Sequence, residues 1–377
     1  MRGITSLFVF TIAVTTPCCV SSQDTQLRER PRLSFEELLR REDSNKDGKV
    51  TRDEFKPPEQ LFTRFDRNGD GELTKADFAG IVRDRPSVIG RTPDDVTLLR
   101  DVVFGKGGDR DLTMHLVLPK KESDAPMPAY VWVHGGGWQG GSKDGGIGKV
   151  VPMVREGFLG ATIEYRLTGE APFPAQIEDC KCAIRYLRAH AKKYNLDVER
   201  IAVGGSSAGG HLVALLGTSG GVKELEGIGG WPKQSSAVQA VVDLYGPTDF
   251  KAFVSTKGYE DHNRDGSPES KLLGGGEVLS NEAGIKRVDP ITYVDKADPP
   301  FLIIHGSNDR TVPLNQSEAL HRALESADVQ SFLHVIDGAG HGGPEFAKPD
   351  VNNMQREFLL RYMMNGSHRL GSTPDSK

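Results

Sequence analysis

Beyond residue 95 the chain alternates between two hydrophobic patterns. Short apolar runs rich in β-branched residues, at 129–133, 158–165, 201–203, 238–244, 301–305 and 331–336, read as strands. Between them lie longer stretches, at 175–194, 317–326 and 351–363, that read as helices. In the first of these Ile177, Cys180, Ile184 and Leu187 share one face. Runs at 96–104 and 112–118 flank GKGGDR and predict a hairpin ahead of the series. Strands alternating with helices predict an α/β fold, a mostly parallel sheet covered by helices on both faces.

The first part of the chain is patterned differently. Met1 and Arg2, a mostly apolar run at 4–14 and small or polar residues through Ser22 form the three zones of a secretory signal peptide. The run falls short of the roughly 20 residues a membrane span needs, so a short anchor is the weaker alternative. Pro17 directly before Cys18 argues against a lipid-modified cysteine. The expectation is an exported protein, secreted or periplasmic, whose mature chain keeps Cys180 and Cys182. These lie two apart on one helix, point to different faces and are expected to pack in the core without a disulfide.

Between the leader and the α/β region the pattern becomes acidic and turn-rich. Ser34 and Glu37 form a capping box for a helix running to Arg41. Residues 43–54, DSNKDGKVTRDE, then fill the calcium-loop pattern D-x-[DN]-x-[DN]-G-x5-E. Asp43, Asn45, Asp47 and Glu54 would supply side-chain oxygens and Lys49 a backbone carbonyl, a donor set suited to a hard cation. The pattern recurs at 66–77 with Asp66, Asn68, Asp70, the carbonyl of Glu72, and Asp77 in place of the final glutamate. Val50 and Leu73 hold the eighth loop positions, where paired loops form a short strand contact. The tandem loops resemble an EF-hand pair over residues 34–84, which implies a small all-α domain binding calcium in a structural role; two acidic surface turns are the alternative. Residues 85–95 (RPSVIGRTPDD) read as a linker to a second domain at 96–364, and the polar segment 365–377 as a tail. The half-loop at Asp261–Asp265 lacks an acidic twelfth residue and reads as a surface insertion.

A chain of 377 residues, 37% hydrophobic and 26% charged, is long enough for these two domains and has a soluble globular composition. Its net charge of −5 gives no electrostatic reason for a nucleic-acid partner.

The chemistry sits at turns. Gly205-Ser206-Ser207-Ala208-Gly209 is G-x-S-x-G between a strand and a helix, the setting of a nucleophile elbow centred on Ser207. Glycines two before and two after the serine are needed because a Cβ there would strike neighbouring backbone. His134-Gly135-Gly136-Gly137-Trp138 follows the 129–133 strand, and its backbone N–H groups, with that of Ala208, suit an oxyanion hole made from Gly135, Gly136 and Ala208. Trp138 is expected to pack beside the site. Among ten histidines His341 is favoured as base, because it stands in a glycine-rich loop directly after the 331–336 strand. His134, His211 and His305 are weaker candidates. Asp309, past the end of the 301–305 strand, is favoured as the orienting acid over Asp249.

Together HGGGW, GGSSAGG, GSNDRTVP and GAGH resemble the α/β-hydrolase superfamily. The branch most similar is that of esterases with an HGGG oxyanion loop, which includes hormone-sensitive-lipase-like enzymes and bacterial feruloyl or acetylxylan esterases. The resemblance implies an α/β-hydrolase fold and serine ester hydrolysis with no organic cofactor. In it Ser207 attacks, His341 carries the proton and Asp309 orients it. The leader and SPESKLLGGG at 267–276 look more like polysaccharide esterases than lipases. Short acyl esters, acetyl or feruloyl groups on polysaccharide, are therefore the expected substrates. A serine peptidase of the same fold and a non-catalytic calcium-dependent binding protein are the alternatives.

Overall fold

A computed structural model describes residues 35–56, 62, 66, 70–74, 93–121 and 123–364. The proposed leader, most of the linker, the tail, and Asn68 and Asp77 of the second loop lie outside the described residues. The chain divides into two compact units, Met1–Pro86 and Ser87–Lys377.

In the first unit, helix α1 (Phe35–Glu42) leads into the 43–54 loop. Strand β1 (Val50–Thr51) pairs antiparallel with β2 (Glu72–Leu73), placing Val50 opposite Leu73. These two side chains, with Leu38, Phe55 and Phe62, form a small buried cluster. The pairing gives both loops a common apolar floor.

The second unit is built on eight strands, β3 (Val96–Gly107), β4 (Arg110–Pro119), β5 (Met127–Val133), β6 (Leu159–Ile163), β7 (Leu196–Ser206), β8 (Ala240–Leu244), β9 (Phe301–Gly306) and β10 (Ser331–Ile336). They lie in the order β10-β9-β8-β7-β5-β6-β4-β3. The β3–β4 and β4–β6 pairs are antiparallel; the rest of the sheet is parallel. Ten helices in all are α1 and α2 (Ile147–Arg155), α3 (Ala175–Ala189), α4 (Ala191–Tyr194), α5 (Ala208–Thr218), α6 (Phe250–Ser255), α7 (Pro268–Leu272), α8 (Glu282–Val288), α9 (Asn315–Ser326) and α10 (Pro349–Met363) among the described residues. The stretch expected as one helix over 175–194 breaks at His190, which separates α3 from α4.

Two cores flank the sheet because successive strand residues face opposite sides. Val131, Val133, Ile201, Val203, Phe301 and Ile303 pack with residues of α3 and α5. Tyr130, Trp132, Ala202, Leu302 and Ile304 pack with α2 and α10 on the other side. Burial on both faces explains why these strands are apolar throughout. Cys180 and Cys182 are free thiols in the first of these cores.

Strand β5 is the pivot of the topology. From it the chain passes to β6 on one side, then returns to β7 on the other. Loops leaving the carboxyl ends of β5 and β7 therefore diverge over the two faces and leave a crevice, where ligand sites of open α/β sheets lie. The mostly parallel sheet with helices on both sides is that of an α/β-hydrolase.

Candidate active site

The turn between β7 and α5 carries Ser207 at φ 55 and ψ −122, a strained conformation for a residue with a side chain. Its tightness explains its composition. A Cβ on Gly205 would lie 2.3 Å from the carbonyl oxygen of Gly209, and one on Gly209 would lie 2.2 Å from that of Val133. Ser207 N–H donates to the Leu244 carbonyl at 2.9 Å, anchoring the turn to the neighbouring strand.

His341 meets the serine. Its Nε2 lies 2.8 Å from Ser207 Oγ, and its Nδ1 lies 2.6 Å from Asp309 Oδ2. Three residues far apart in sequence thus form one continuous hydrogen-bond chain. Asp309 is buried, and burial alone would raise its carboxyl; the imidazoles of His305 and His341 beside it instead hold it well below the ordinary carboxylate range. The arrangement can take a proton from a serine hydroxyl and stabilise the imidazolium that results.

The glycine loop after β5 passes directly over the serine. A Cβ on Gly135 would come within 2.5 Å of the Ser206 carbonyl oxygen and 3.3 Å of Ser207 Cβ. Gly136, Gly137 and Trp138 follow with φ of 123, 58 and 56. Ala208 opens α5, so its N–H has no partner within the helix and stands at the positive end of the helix dipole. Gly135 and Ala208 thus border the nucleophile, and Gly136 continues the same loop.

His134 and His211 support these loops. His134 Nδ1 faces the Gly135 carbonyl at 2.8 Å, and its ring stacks on Tyr165, whose hydroxyl donates to the His134 carbonyl. The Trp138 indole N–H donates to His211 Nδ1 at 3.2 Å, while His211 Nε2 lies 2.8 Å from the Val288 carbonyl. Complete burial pushes His211 down to about 4, which keeps its Nδ1 free to accept. Asp249, the rival acid, caps α6 by accepting from Ala252 N–H at 2.9 Å.

Several contacts carry no sequence signal. Tyr245 has φ 47 at the end of β8, and its ring lies 4.6 Å from that of His341. The insertion also reaches both halves of the site. Tyr259 donates to the Asp309 carbonyl, Lys271 Nζ bonds Gln139 Oε1 at 2.7 Å, and Pro268 packs beside Gly137. It holds a cavity of about 420 Å3 lined by Asp261, His262, Arg264, Asp265 and Pro268, among others. Its calcium-like half-loop is spent on local bonds, since Asp265 Oδ1 accepts from Gly276 N–H and Ser270 Oγ, and Asn263 Oδ1 from Leu279 N–H.

In the first unit the 43–54 loop is closed by its own oxygens. Asp43 accepts from the N–H groups of Lys46 and Gly48, Asn45 from that of Asp47, and Asp47 from that of Lys49. The backbone N–H and hydroxyl of Thr51, with further bonds from Ser44 and Asn45, hold Glu54 down to about 2. In the second loop Asp66 accepts from Gly71 N–H and Asp70 from Glu72 N–H, and Glu72 pairs with Lys49 Nζ at 2.6 Å. Gly48 and Gly71 have φ near 85, the positive values the sixth loop position requires. These carboxyl and amide oxygens have the chemistry a hard cation takes. Among the described residues, however, no three His, Cys, Asp or Glu side chains converge to hold a metal.

Comparison with known proteins places the site in context. The BD-FAE family model matches residues 114–324. Esterase LipQ of Mycobacterium tuberculosis is 30% identical over 70% of this chain and 61% of its own length, and esterase LipC of the same organism 30% identical over 58% and 53%. The chain thus spans little more than half of these curated relatives. Among solved structures, a truncated carbohydrate esterase from gut microbiota superposes with a TM-score of 0.65 at 31% identity, covering 71% of this chain and 97% of that one. A bifunctional GH43-CE protein of Bacteroides eggerthii gives 0.63 at 34% identity, covering 71% of this chain and 35% of its own.

Proposed function

The chain belongs to the BD-FAE family, and from that premise we propose that it is an exported serine carboxylester hydrolase that removes short acyl groups, acetyl or feruloyl, from polysaccharide. The observation that carries this reading is the unbroken chain from Ser207 Oγ through His341 to Asp309. Ser207 Oγ attacks the ester carbonyl as His341 Nε2 takes its proton, and the N–H groups of Ala208, Gly135 and Gly136 receive the oxyanion. His341 then gives the proton to the departing alcohol, leaving an acyl-serine. Water, deprotonated by His341, attacks that ester and releases the acid. No organic cofactor enters these steps.

The polysaccharide assignment is supported by two carbohydrate esterase neighbours and by the cavity beside the oxyanion loop. Its mixture of acids, a guanidinium and an imidazole suits the many hydroxyls of a sugar better than an acyl tail. In this reading the leader at 1–22 directs export to the periplasm or beyond. The first unit would bind calcium through Asp43, Asn45, Asp47, Lys49 and Glu54 in one loop and through Asp66, Asn68, Asp70, Glu72 and Asp77 in the other. The metal's part there is structural, tying the loops of the module.

Hydrolysis of p-nitrophenyl acetate by the mature protein and its Ser207→Ala variant, with calcium and with chelator, tests the reading. Activity lost in the variant and retained with chelator supports a serine esterase with a separable calcium module. A mature protein without activity in any condition overturns it. Release of acetate or ferulate from plant polysaccharide then tests the substrate class.

A further inference from the structure

Three N–H groups bond the carboxylate of Asp309, and a fourth stands beside it. Oδ1 accepts from the backbone N–H of Thr311 at 2.8 Å and of Val312 at 3.0 Å, while Oδ2 meets His341 Nδ1 at 2.6 Å. The fourth belongs to His305, whose Nε2 lies 3.3 Å from the same Oδ2 and 3.0 Å from the Val312 carbonyl oxygen. Both neighbours of that nitrogen can only accept, so Nε2 carries a proton. The other ring nitrogen, Nδ1, lies 2.6 Å from Ser317 Oγ, a hydroxyl able to donate to it. His305 is fully buried at the end of β9, and Ser317 is fully buried on α9. The tautomer is therefore set by groups that solvent does not reach.

We propose that His305 is a positioning residue for the hydrolytic reaction, holding Asp309 Oδ2 in the orientation that receives His341 and sharing that oxygen's negative charge. The proposal rests on the Ser207–His341–Asp309 reading above. The two backbone donors fix Oδ1 alone. Oδ2 would otherwise answer only to His341, whose ring must exchange its proton between serine and leaving group during turnover. A second, immobile donor keeps Oδ2 in place when that bond loosens. The same donor draws charge from Oδ2 and so tempers the stabilisation of the imidazolium. Other titratable or charged groups facing this pair are Asp243, buried on β8; Tyr245, whose ring lies 6.3 Å from that of His305; Tyr259 at the Asp309 carbonyl; and Arg310 beside Tyr259.

The test compares kcat and KM for p-nitrophenyl acetate, as a function of pH, in the wild type, Ser207→Ala, His305→Phe and His305→Gln. His305→Phe, which cannot donate, is expected to lower kcat on the order of tenfold to a hundredfold with little change in KM. It should also move the acidic limb of the kcat/KM profile to higher pH, since an Oδ2 without its second donor stabilises the imidazolium more. His305→Gln, whose amide N–H can replace that of Nε2, should lie nearer the wild type in both respects. A folded His305→Phe protein with wild-type kcat, or a loss without movement of the acidic limb, overturns the proposal while an inactive Ser207→Ala leaves the triad standing. Activity retained in Ser207→Ala overturns both. Should His305→Phe fail to fold, 15N–1H spectra of histidine-labelled wild type decide. A proton on Nε2 with Nδ1 bare is expected, and a proton on Nδ1 instead overturns the assignment.

Discussion

Ser207 adopts a backbone conformation that its residue type disfavours, and the surrounding glycines are what permit it. Strain of this kind persists only where neighbours over-determine it, here the Leu244 carbonyl and the close approaches at Gly205 and Gly209. The two candidate acids show how little separates a catalytic carboxylate from a structural one in sequence. Both follow a strand, yet Asp309 meets His341 while Asp249 caps a short helix. Asp309→Asn is therefore expected to reduce kcat by roughly three to four orders of magnitude, because the imidazole loses its orienting charge. Asp249→Ala should keep kcat within a few-fold and lower stability by about 1 kcal/mol, the value of a lost cap. Steady-state kinetics with thermal melts separate the two; comparable losses of kcat in both variants would contradict the assignment of Asp309.

At the scale of elements, the oxyanion loop is held from behind by α5. Trp138 from the loop and His211 from the helix are joined by one buried hydrogen bond, and Val288 at the end of α8 completes it. Because burial pushes His211 from its ordinary 6.5 down to about 4, unfolding releases a group that binds a proton more readily than the native protein does. The folded value is depressed, so this contribution is fully present above pH 6.5 and declines as pH falls through 4. It amounts to at most about 3 kcal/mol. His211→Gln, which can still accept from Trp138, is expected to flatten the fall in urea-unfolding stability across that interval; an equal fall in both proteins would refute the account. Elements of this second unit were unevenly legible. Strands β5, β8 and β9 announced themselves as apolar runs because both their faces are buried. Helix α2, with Pro152 inside it, and the short helices α6 to α8 did not, because helices of so few turns carry little periodicity.

For the whole molecule the controlling fact is the change of direction at β5. It brings the loops after β5 and β7 together and lets the loops after β9 and β10 bring Asp309 and His341 to the same end of the sheet. The first unit has its own core, Leu38, Val50, Phe55, Phe62 and Leu73. In the calcium-bound reading, added calcium should raise the melting transition of that unit, by about 2.7 kcal/mol of stability at a hundredfold excess over Kd, and leave the esterase transition in place. Glu54→Gln should weaken the effect. Scanning calorimetry checks this, and a calcium response that the variant leaves unaltered would exclude Glu54 from the site.

By itself the sequence determined the turns and the alternation of elements. A strand-to-helix turn around a serine tolerates only small flanking residues, and a strand buried on both faces must be apolar, so both constraints are local and written in consecutive positions. It also narrowed the base to His341 and the acid to Asp309 or Asp249. Only the tertiary structure decided which acid the imidazole meets, that His305 stands beside Asp309, that His211 locks Trp138, and that Tyr245 and Tyr259 close around the site. Those choices join residues brought together across the sheet, and no spacing along the chain encodes a contact made by the packing of separate elements.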